Sequence, residues 1–414
     1  MIGGNDIDKP DAGADLDPLW LELVRVPDDA ALKVRVARRL AGATRPPHTS
    51  VEPHLHALLI APDVDPVPIA RAGWAMIEAA GRLPTADAAG AASVECDAFI
   101  LALLEETCLA WVPAERALTA LRRWLLMSGG GPDFPRTVRA LAKQAALNGG
   151  AWSFDEEERT RLDQPDASLA AAYRPVHPLP AAEQTFASPV TEAVAAQYEA
   201  WPYPVWERIM TAPGETLDAL VASVAPEAPA LPPAPEILVA GCGSGREALL
   251  IAKLSSCARI TAIDISVASL ARAAELCSGA TNITFARRDL HDAAAAGPRF
   301  DLVSCSGVLH HLPDPEAGWS ALVDALKPGG LMSIMVYSRL ARMRITAARR
   351  RIADLLDQPV DDDLLREVRR RLLAEPVHAV AHSTDFASLG GVHDLLLHRH
   401  EDAFDVERIR RGVD

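Results

Sequence analysis

The sequence predicts an α/β protein in which a doubly wound, Rossmann-like domain follows an all-helical N-terminal domain. Apolar residues recur at helical spacing from Leu16 to about Asp163, and proline-rich stretches interrupt the chain near residues 175–189 and 225–235. From residue 236 onward, strand-like apolar runs alternate with helical stretches. This alternation is typical of a parallel sheet covered by helices on both faces.

The N-terminal part is predicted to be helical over residues 16–175, after a disordered tail at 1–15 that is polar and rich in Gly and Asp. The stretches "DAFILALLEETCLA" and "AERALTALRRWLLM" place apolar residues three and four positions apart, which is the spacing of an amphipathic helix. Pro113 suits a first helical turn and Gly129 suits a helix end. We find no 34-residue self-similarity, so the helices are predicted to form an irregular domain and not a repeat array.

A linker is predicted over residues 176–194, because several prolines there remove backbone donors and resist helix continuation. The second proline-rich spacer, "APEAPALPPAP", ends where the first strand-like run begins. Five strands are predicted beyond it, at residues 236–240, 259–264, 282–286, 300–305 and 330–337.

Composition narrows the possible functions. The formal net charge of −15 and the sequence pI near 5.3 disfavour a nucleic-acid partner, whose binding normally needs clustered Lys and Arg. The six cysteines are scattered, without the paired spacing of a zinc site or the density of a disulfide scaffold. The N-terminus lacks the pattern of a signal peptide, and no apolar run is long enough for a membrane helix. We therefore expect a cytoplasmic protein without a membrane partner.

A glycine-rich turn follows the first predicted strand, with Gly241, Gly243 and Gly245 in "EILVAGCGSGREALLIA". Such a turn between strand and helix gathers backbone N–H groups at the positive end of a helix and often receives a nucleotide-like ligand. Asp264 ends the second predicted strand, where a carboxylate can accept hydrogen bonds from two ribose hydroxyls. Because Gly243, Gly245 and Ala248 also satisfy a looser dinucleotide pattern, the turn alone fits two cofactor classes.

The chain resembles the class I S-adenosylmethionine-dependent methyltransferases. The resemblance covers roughly residues 195–340 and rests on five stretches in that family's order and spacing: "LVAGCGSG", "ITAIDIS", "RRDL", "FDLVSCSGVLHHLPDP" and "LKPGGLMSIMVYS". It implies a methyltransferase domain over 195–414, with a helical insertion after strand five at about 340–414, and S-adenosyl-L-methionine as the cofactor.

The resemblance also implies residue roles. The backbone from Gly241 through Cys242 to Gly245 would cradle the amino-acid end of the cofactor, and Asp264 would hold the ribose. A second set would bind the adenine, with a carboxylate accepting from the amino group and apolar side chains against the ring: Asp289, Leu290 and Ile265. These residue types suit a planar purine, which needs apolar faces and one oriented acceptor.

The segment "QYEAWPYPVWERI" at 197–209 looks like a piece that precedes the catalytic domain in bacterial methyltransferases with helical, often tetratricopeptide, N-terminal regions. On this interpretation Tyr198 and Tyr203 close over the sulfonium end of the cofactor, where aromatic faces attract a cation. The alternative is a packing anchor between domains, with Trp201 and Trp206 buried.

Two features depart from the family pattern. Many members carry an acid two residues before the first glycine, where this chain has Val239; Gln197 or Tyr198 are candidates to replace its contact with the cofactor. The family sheet also normally finishes with an antiparallel hairpin, yet residues 340–414 are predicted to be almost wholly helical. The sequence is compatible with a truncated chain or with a sheet that lacks its edge.

Methyl transfer from a sulfonium requires alignment of the acceptor atom and, for a protonated acceptor, removal of a proton. His310 and His311 follow the fourth predicted strand and are the candidate catalytic bases, with Tyr203 beside them as a third catalytic candidate. The alternative is that both histidines are structural.

Other clusters have weaker functional interpretations. His393, His398 and His400 are predicted to lie on a helix, with His393 and His400 on similar faces; a solvated face or a lid is favoured over a metal site, and no metal is predicted. The arginines at 349–351 and 369–371 are predicted to occupy charged outer faces of helices.

The leading hypothesis is a methyltransferase whose helical regions select or cover an unidentified acceptor, with a weak preference for a small molecule over a protein. The rivals are an NAD-dependent dehydrogenase, a non-catalytic cofactor-binding scaffold and a protein-interaction module. The dehydrogenase gives no reason for "RRDL" and "LKPGG" at their positions. The sequence leaves the oligomeric state and the methylated element open.

Overall fold

A computed structural model describes residues 17–43, 46–62, 64–164, 169–174, 188–206, 208–293 and 300–413. The chain divides into two compact units. We call residues 188–346 and 397–413 the sheet unit, and residues 17–174 and 347–396 the helical unit. The predicted tail at 1–15 and most of the predicted linker lie outside the described residues.

The helical unit is built from helices whose ends carry recognisable signals. Pro113 lies in the first turn of its helix and Gly129 adopts the left-handed conformation at the end of the same helix, as predicted. The helices of this unit are α1 Asp17–Arg25, α2 Ala30–Ala41, α3 Glu52–Leu59, α4 Pro66–Ala79, α5 Ala88–Cys96, α6 Ala98–Glu106, α7 Val112–Ser128, α8 Pro135–Asn148, α9 Glu156–Leu162, α16 Asp362–Leu373 and α17 Leu389–Leu396. Helix α15, Met343–Arg351, contains the division between the units.

Residues 347–396 group with the N-terminal helices, whereas the sequence interpretation assigns them to the methyltransferase domain. Part of the reason is a buried ion pair inside the helical unit. Arg369 is 1% exposed; it pairs with Glu115 at 2.5 Å and donates to the carbonyl of Ala151 at 3.1 Å. The prediction that arginines 369–371 cover an outer face is therefore wrong for Arg369, while arginines 349–351 are exposed as predicted. The functional division of the chain stays a prediction.

Helix α9 provides a stability prediction for the helical unit. Asp155 caps its first turn by accepting from the N–H of Glu158 at 2.9 Å, and Glu158 reciprocates at the N–H of Asp155. Asp155→Ala is expected to lower the free energy of unfolding by about 1 kcal/mol, because a capped donor is left unpaired.

The matched control for Asp155→Ala is Asp163→Ala at the other end of α9. Asp163 makes an exposed ion pair with Arg174, so its loss should cost less than about 0.5 kcal/mol. Urea unfolding measures both, and equal costs would contradict the capping assignment.

The sheet unit contains five parallel strands in the order β3-β2-β1-β4-β5 among the residues described. The strands are β1 Glu236–Ala240, β2 Arg259–Asp264, β3 Ile283–Arg287, β4 Phe300–Ser306 and β5 Leu326–Met335. The helices are α10 Pro189–Ala200, α11 Leu217–Val224, α12 Arg246–Leu254, α13 Val267–Leu276, α14 Pro315–Ala325 and α18 Val406–Val413. This confirms the predicted doubly wound α/β class, and the strand order reverses between β1 and β4, where such sheets bind ligands.

Two hydrophobic clusters cover the faces of the sheet. Val239 packs with Ala248 and Ile251 of α12 on one face. Leu238 and Ile263 pack on the other face, in the cluster that includes α14 residues. Successive residues of β1 therefore face opposite layers, as the alternation of side chains along a strand requires.

The structure corrects the limits of two predicted elements. Strand β5 begins at Leu326, four residues before the predicted start, because Leu326 pairs with Phe300 and a register shift absorbs the following Lys-Pro-Gly-Gly segment. The end of the predicted linker is helical, since Pro189 occupies the first turn of α10 with Ser188 as its cap. No helix among the described residues is long and apolar enough to cross a membrane.

Candidate active site

The turn between β1 and α12 has three glycines with positive φ, and each has a different neighbour. A Cβ atom on Gly241 would lie 2.3 Å from Cγ2 of Val308, and one on Gly245 would lie 2.9 Å from Cα of Ala273. These two glycines are needed for packing against β4 and α13. At Gly243, with φ +52°, the nearest atom to such a Cβ is the carbonyl oxygen of Tyr203 at 3.8 Å. Gly243 therefore leaves backbone open to an approaching group.

Asp264 at the end of β2 is joined to this turn. Its Oδ2 accepts from the N–H of Gly243 at 2.8 Å, and its Oδ1 accepts from the N–H of Ser266 at 2.9 Å. Each carboxylate oxygen has two lone pairs, so both retain capacity for a further donor. Burial raises the pKa of Asp264, because the charged form loses hydration. The predicted pairing of the turn with this acid is thus present as a direct contact.

The segment 201–209 lies over the same turn. Ser244 donates from its hydroxyl to the carbonyl of Pro204, and the guanidinium of Arg246 stacks over Trp206 at 4.6 Å. Lys253 donates to the carbonyl of Ile209 at 2.8 Å. These contacts bring the segment against the glycine turn and α12, and the closing of Tyr198 and Tyr203 over the cofactor stays a prediction. Trp201 and Trp206 are half-buried, and Trp206 contacts Arg246 of the sheet unit.

The predicted adenine residues lie along the ends of β2 and β3. Asp289 accepts from the N–H of His291 at 2.9 Å and contacts its Nδ1 at 2.8 Å. Leu290 is buried in the sheet core, and the carbonyl of Ile265 accepts from Arg287 at 2.9 Å. Cys242 is buried against α12, where burial raises its pKa well above the usual thiol value. The adenine roles of Asp289, Leu290 and Ile265 stay predictions, as does the role of Cys242 at the amino-acid end of the cofactor.

Helix α10 is anchored to the sheet by a residue that the sequence analysis missed. The carboxylate of Glu199 accepts from the N–H groups of Val267 and Ala268 at 2.6 and 2.9 Å. These donors belong to the first turn of α13, so an acid there satisfies unpaired N–H groups and complements the helix dipole. The anchor fixes the neighbouring Tyr198 near the carboxyl ends of the strands. Only the spatial proximity of α10 and α13 reveals it.

Aromatic and imidazole rings form a continuous series of ring contacts beyond β4 and β5, which we call the ring cluster: Tyr198, His398, His311, His310 and Tyr337. His311 and His398 are parallel with centroids 3.5 Å apart, and His310 stacks on Tyr337 at 3.8 Å. The hydroxyl of Tyr198 lies 3.3 Å from Nε2 of His398. The cluster unites three predicted site residues with His398, which is 87 positions beyond His311 in the sequence.

The hydrogen bonds of the cluster fix which nitrogen carries each proton. Nδ1 of His311 lies 2.9 Å from the carbonyl of His400, and a carbonyl only accepts, so Nδ1 donates and Nε2 holds the lone pair in the neutral ring. His310 is different, because its Nδ1 accepts from the N–H of Tyr337 at 3.2 Å. Nδ1 of His398 likewise accepts from the N–H of His400. In the neutral rings, His311 therefore carries its lone pair on Nε2, whereas the lone pair of His310 lies on Nδ1 and already accepts from the backbone of Tyr337.

His310 gives a prediction for the pH dependence of stability. Burial lowers its pKa to about 2, with help from His311 and Arg342. An unfolded histidine binds a proton below pH ~6.5 while the folded one stays neutral, so this contribution to stability is intact above that pH and declines as the pH falls toward 2. His310→Asn keeps an acceptor but does not titrate. We expect its stability deficit relative to wild type to shrink by about 2 kcal/mol between pH 7 and pH 5. Urea unfolding at both values measures this, and parallel pH profiles would contradict it.

The predicted helical arrangement of the C-terminal histidines is wrong. Helix α17 ends at Leu396, so His393 is helical but His398 and His400 lie in a non-helical segment with a bend at Arg399. The backbone donors of that segment bond to other elements: Arg399 to Oε1 of Gln197, Asp402 to the carbonyl of His310, and Phe404 to the carbonyl of Tyr337. These tertiary bonds override the helical propensity of the sequence.

Residues 238–332 match the family model described as "Methyltransferase domain". An uncharacterised protein of Synechococcus sp. is 34% identical over 249 residues, which cover 54% of this chain and 58% of that protein. The ubiquinone biosynthesis O-methyltransferase of Xanthomonas euvesicatoria is 36% identical over 106 residues, covering 25% of this chain and 43% of that enzyme. The chain thus spans less than two thirds of the length of either relative.

Among solved structures, the N-methyltransferase NodS from Bradyrhizobium japonicum, in complex with S-adenosyl-L-homocysteine, is 25% identical, with a TM-score of 0.25. That match covers 27% of this chain and 57% of NodS.

Proposed function

We propose that the methyltransferase domain matched over residues 238–332 transfers a methyl group from S-adenosyl-L-methionine to an acceptor. The observation that carries the proposal is the contact between the partly exposed backbone of Gly243 and the carboxylate of Asp264. It places an anion and an unobstructed peptide group together at the point where the strand order reverses. This combination suits a ligand with a ribose diol beside a polar amino-acid end.

The bound cofactor would supply an activated methyl group on sulfur. The protein's own task is then to orient the acceptor, exclude water and take up a proton where the acceptor carries one. Asp264 would hold the ribose, with Asp289, Ile265 and Leu290 at the adenine. Tyr198 and Tyr203 would present aromatic faces to the positive sulfur, since such faces attract cations.

His311 is our candidate for the proton acceptor in the ring cluster. Its Nδ1 proton is fixed by the carbonyl of His400, which leaves the lone pair on Nε2. His310 would act as a positioning residue, because its Nδ1 already accepts from the backbone of Tyr337 and burial depresses its pKa. This division of roles refines the sequence prediction, which left open which histidine is catalytic.

The acceptor is proposed to be a small molecule, with a protein side chain as the second candidate. One relative is named a ubiquinone biosynthesis O-methyltransferase, which favours a hydroxyl-bearing acceptor. We further propose that the helical regions of the chain select or cover the acceptor.

A turnover experiment tests the proposal. The full chain would be incubated with S-adenosylmethionine carrying a labelled methyl group and with panels of phenols, amines and thiols, and label would be followed into each product and into protein. We expect time-dependent transfer to at least one class and a strong loss of transfer in His311→Asn when the acceptor is a phenol. Cofactor binding without transfer to any acceptor or protein would instead favour a non-catalytic scaffold.

A further inference from the structure

The cofactor proposed above carries an ammonium group at its amino-acid end, and a cation of this kind needs an anionic partner in a partly buried site. Val239, at the position where many related chains carry an acid, supplies none. It is 1% exposed and packs in the apolar cluster against α12. If the cofactor's ammonium group has an anionic partner in this protein, that partner is another carboxylate near the glycine turn.

Three carboxylates near the turn can be compared by what they already bind. Asp264 accepts from two backbone N–H groups and is the candidate ribose ligand. Glu199 is committed to the first turn of α13, with one N–H on each oxygen. Glu247 differs from both, because among the described residues its carboxylate accepts a hydrogen bond from a side chain, the hydroxyl of Ser304, and from no backbone N–H group.

The position of Glu247 matches that of the missing acid. It lies in the first turn of α12, two residues after Gly245. Its partner Ser304 is paired with Val239 in the parallel ladder between β1 and β4. Paired residues of neighbouring strands point to the same face of a sheet. The carboxylate of Glu247 therefore lies on the face of β1 that Val239 occupies, supplied by the following helix and not by the strand.

The surroundings of Glu247 favour a cationic ligand. Burial raises the pKa of Glu247, because lost hydration disfavours the charged carboxylate, and the hydrogen bond from Ser304 and the positive charge of Arg246 oppose this shift only in part. The adjacent cation, Arg246, is directed over the ring of Trp206. The residue is nevertheless not fully enclosed, since its side chain is of intermediate exposure. A half-buried carboxylate of this kind gains most from an ammonium group that brings its own charge and donors.

We propose that Glu247 binds the ammonium group of the cofactor's amino-acid end and thereby replaces the acid that Val239 lacks. The inference rests on the proposed function. It assigns Glu247 to cofactor recognition, with Ser304 as the positioning residue that orients its carboxylate.

The test compares two ligands that differ at the amino-acid end. S-adenosylhomocysteine carries the ammonium group, whereas 5′-methylthioadenosine lacks the whole amino-acid end. Calorimetric titration of the Glu247→Gln variant should show S-adenosylhomocysteine binding weakened by roughly ten- to a hundredfold, the usual effect of losing a charged hydrogen bond. Binding of 5′-methylthioadenosine should be unchanged. Glu236→Gln is the matched control, because Glu236 pairs with Arg259 at the opposite end of β1, and it should alter neither affinity.

A second variant keeps the test decisive if Glu247→Gln folds poorly. Ser304→Ala retains the carboxylate but removes its anchor, and it should weaken S-adenosylhomocysteine by a smaller factor and spare 5′-methylthioadenosine. Equal weakening of both ligands, or of neither, would overturn the assignment of Glu247 while the proposed function stands. A folded wild-type protein that binds neither ligand would instead overturn the proposed function, and the assignment of Glu247 with it.

Discussion

Alanine at position 243 is expected to weaken binding of S-adenosylhomocysteine, the demethylated cofactor, while leaving the protein folded. A Cβ at this position would project into the space beside the turn, where, among the described residues other than its chain neighbours, only the carbonyl of Tyr203 lies within 4 Å. We expect the affinity to fall by up to roughly a hundredfold, because a methyl group forced into a filled space typically costs about 1–3 kcal/mol. Gly241 is unsuitable for this test, because a Cβ there would collide with Val308 and disturb the fold.

Gly214→Ala is the matched control for Gly243→Ala. Gly214 has a similar positive φ of +78°, and the Cβ that alanine would add meets no atom within 4 Å in the part of the chain that the structure describes, apart from its chain neighbours. Both substitutions should lower the free energy of unfolding by about 1–2 kcal/mol, the cost of a left-handed conformation with a side chain. Calorimetric titration should register weakened binding only for Gly243→Ala. Normal binding by that variant would place the ligand away from the turn.

The second large effect is expected for Asp264→Asn, which should weaken S-adenosylhomocysteine by roughly a hundredfold or more. Two ribose hydroxyls would lose a charged acceptor, and each such hydrogen bond contributes about 1.5–3 kcal/mol. The fold should also lose stability, since the amide NH₂ would face one of the N–H groups of Gly243 and Ser266 that now donate to oxygen. The free energy of unfolding should fall by about 1–3 kcal/mol.

Asp301→Asn separates these two effects. Asp301 also accepts from a backbone N–H, that of Glu236, and from Lys327, both at 2.8 Å. It lies at the amino end of the sheet, away from the glycine turn. Urea unfolding should show a stability loss for both variants, whereas titration should show weakened binding for Asp264→Asn alone. Equal affinities of the two variants would remove Asp264 from the site.

The sequence predicts the limits of a strand well where residues that end a strand or cap a helix flank an apolar run. Strands β1 and β2 have their predicted limits, because Pro235 and Gly241 bracket the first and Asp264 ends the second before a helix cap at Ser266. Strand β5 was predicted to start late, since its Pro-Gly-Gly segment is typical of a turn. The strand begins earlier because Leu326 pairs with Phe300 of β4, a contact between residues that are distant in the sequence.

The candidate site shows the same division. The glycine turn and Asp264 form a local pattern with a direct chemical meaning, and the structure brings them into contact. Glu247 and His398 gain their significance only through distant partners, Ser304 and His311, that no spacing rule connects. Arg369 is a charged residue in an arginine run, yet its pairing with Glu115 buries it. Tertiary contacts of this kind explain why the rest could not be predicted from the sequence.

The most direct test of the central claim is calorimetric titration of S-adenosylhomocysteine into the full wild-type chain, with NAD as the comparison ligand. The account predicts saturable uptake at one site per chain, a higher melting temperature with S-adenosylhomocysteine, and neither response with NAD. A protein that is folded by circular dichroism but shows no heat and no thermal shift with S-adenosylhomocysteine would contradict it.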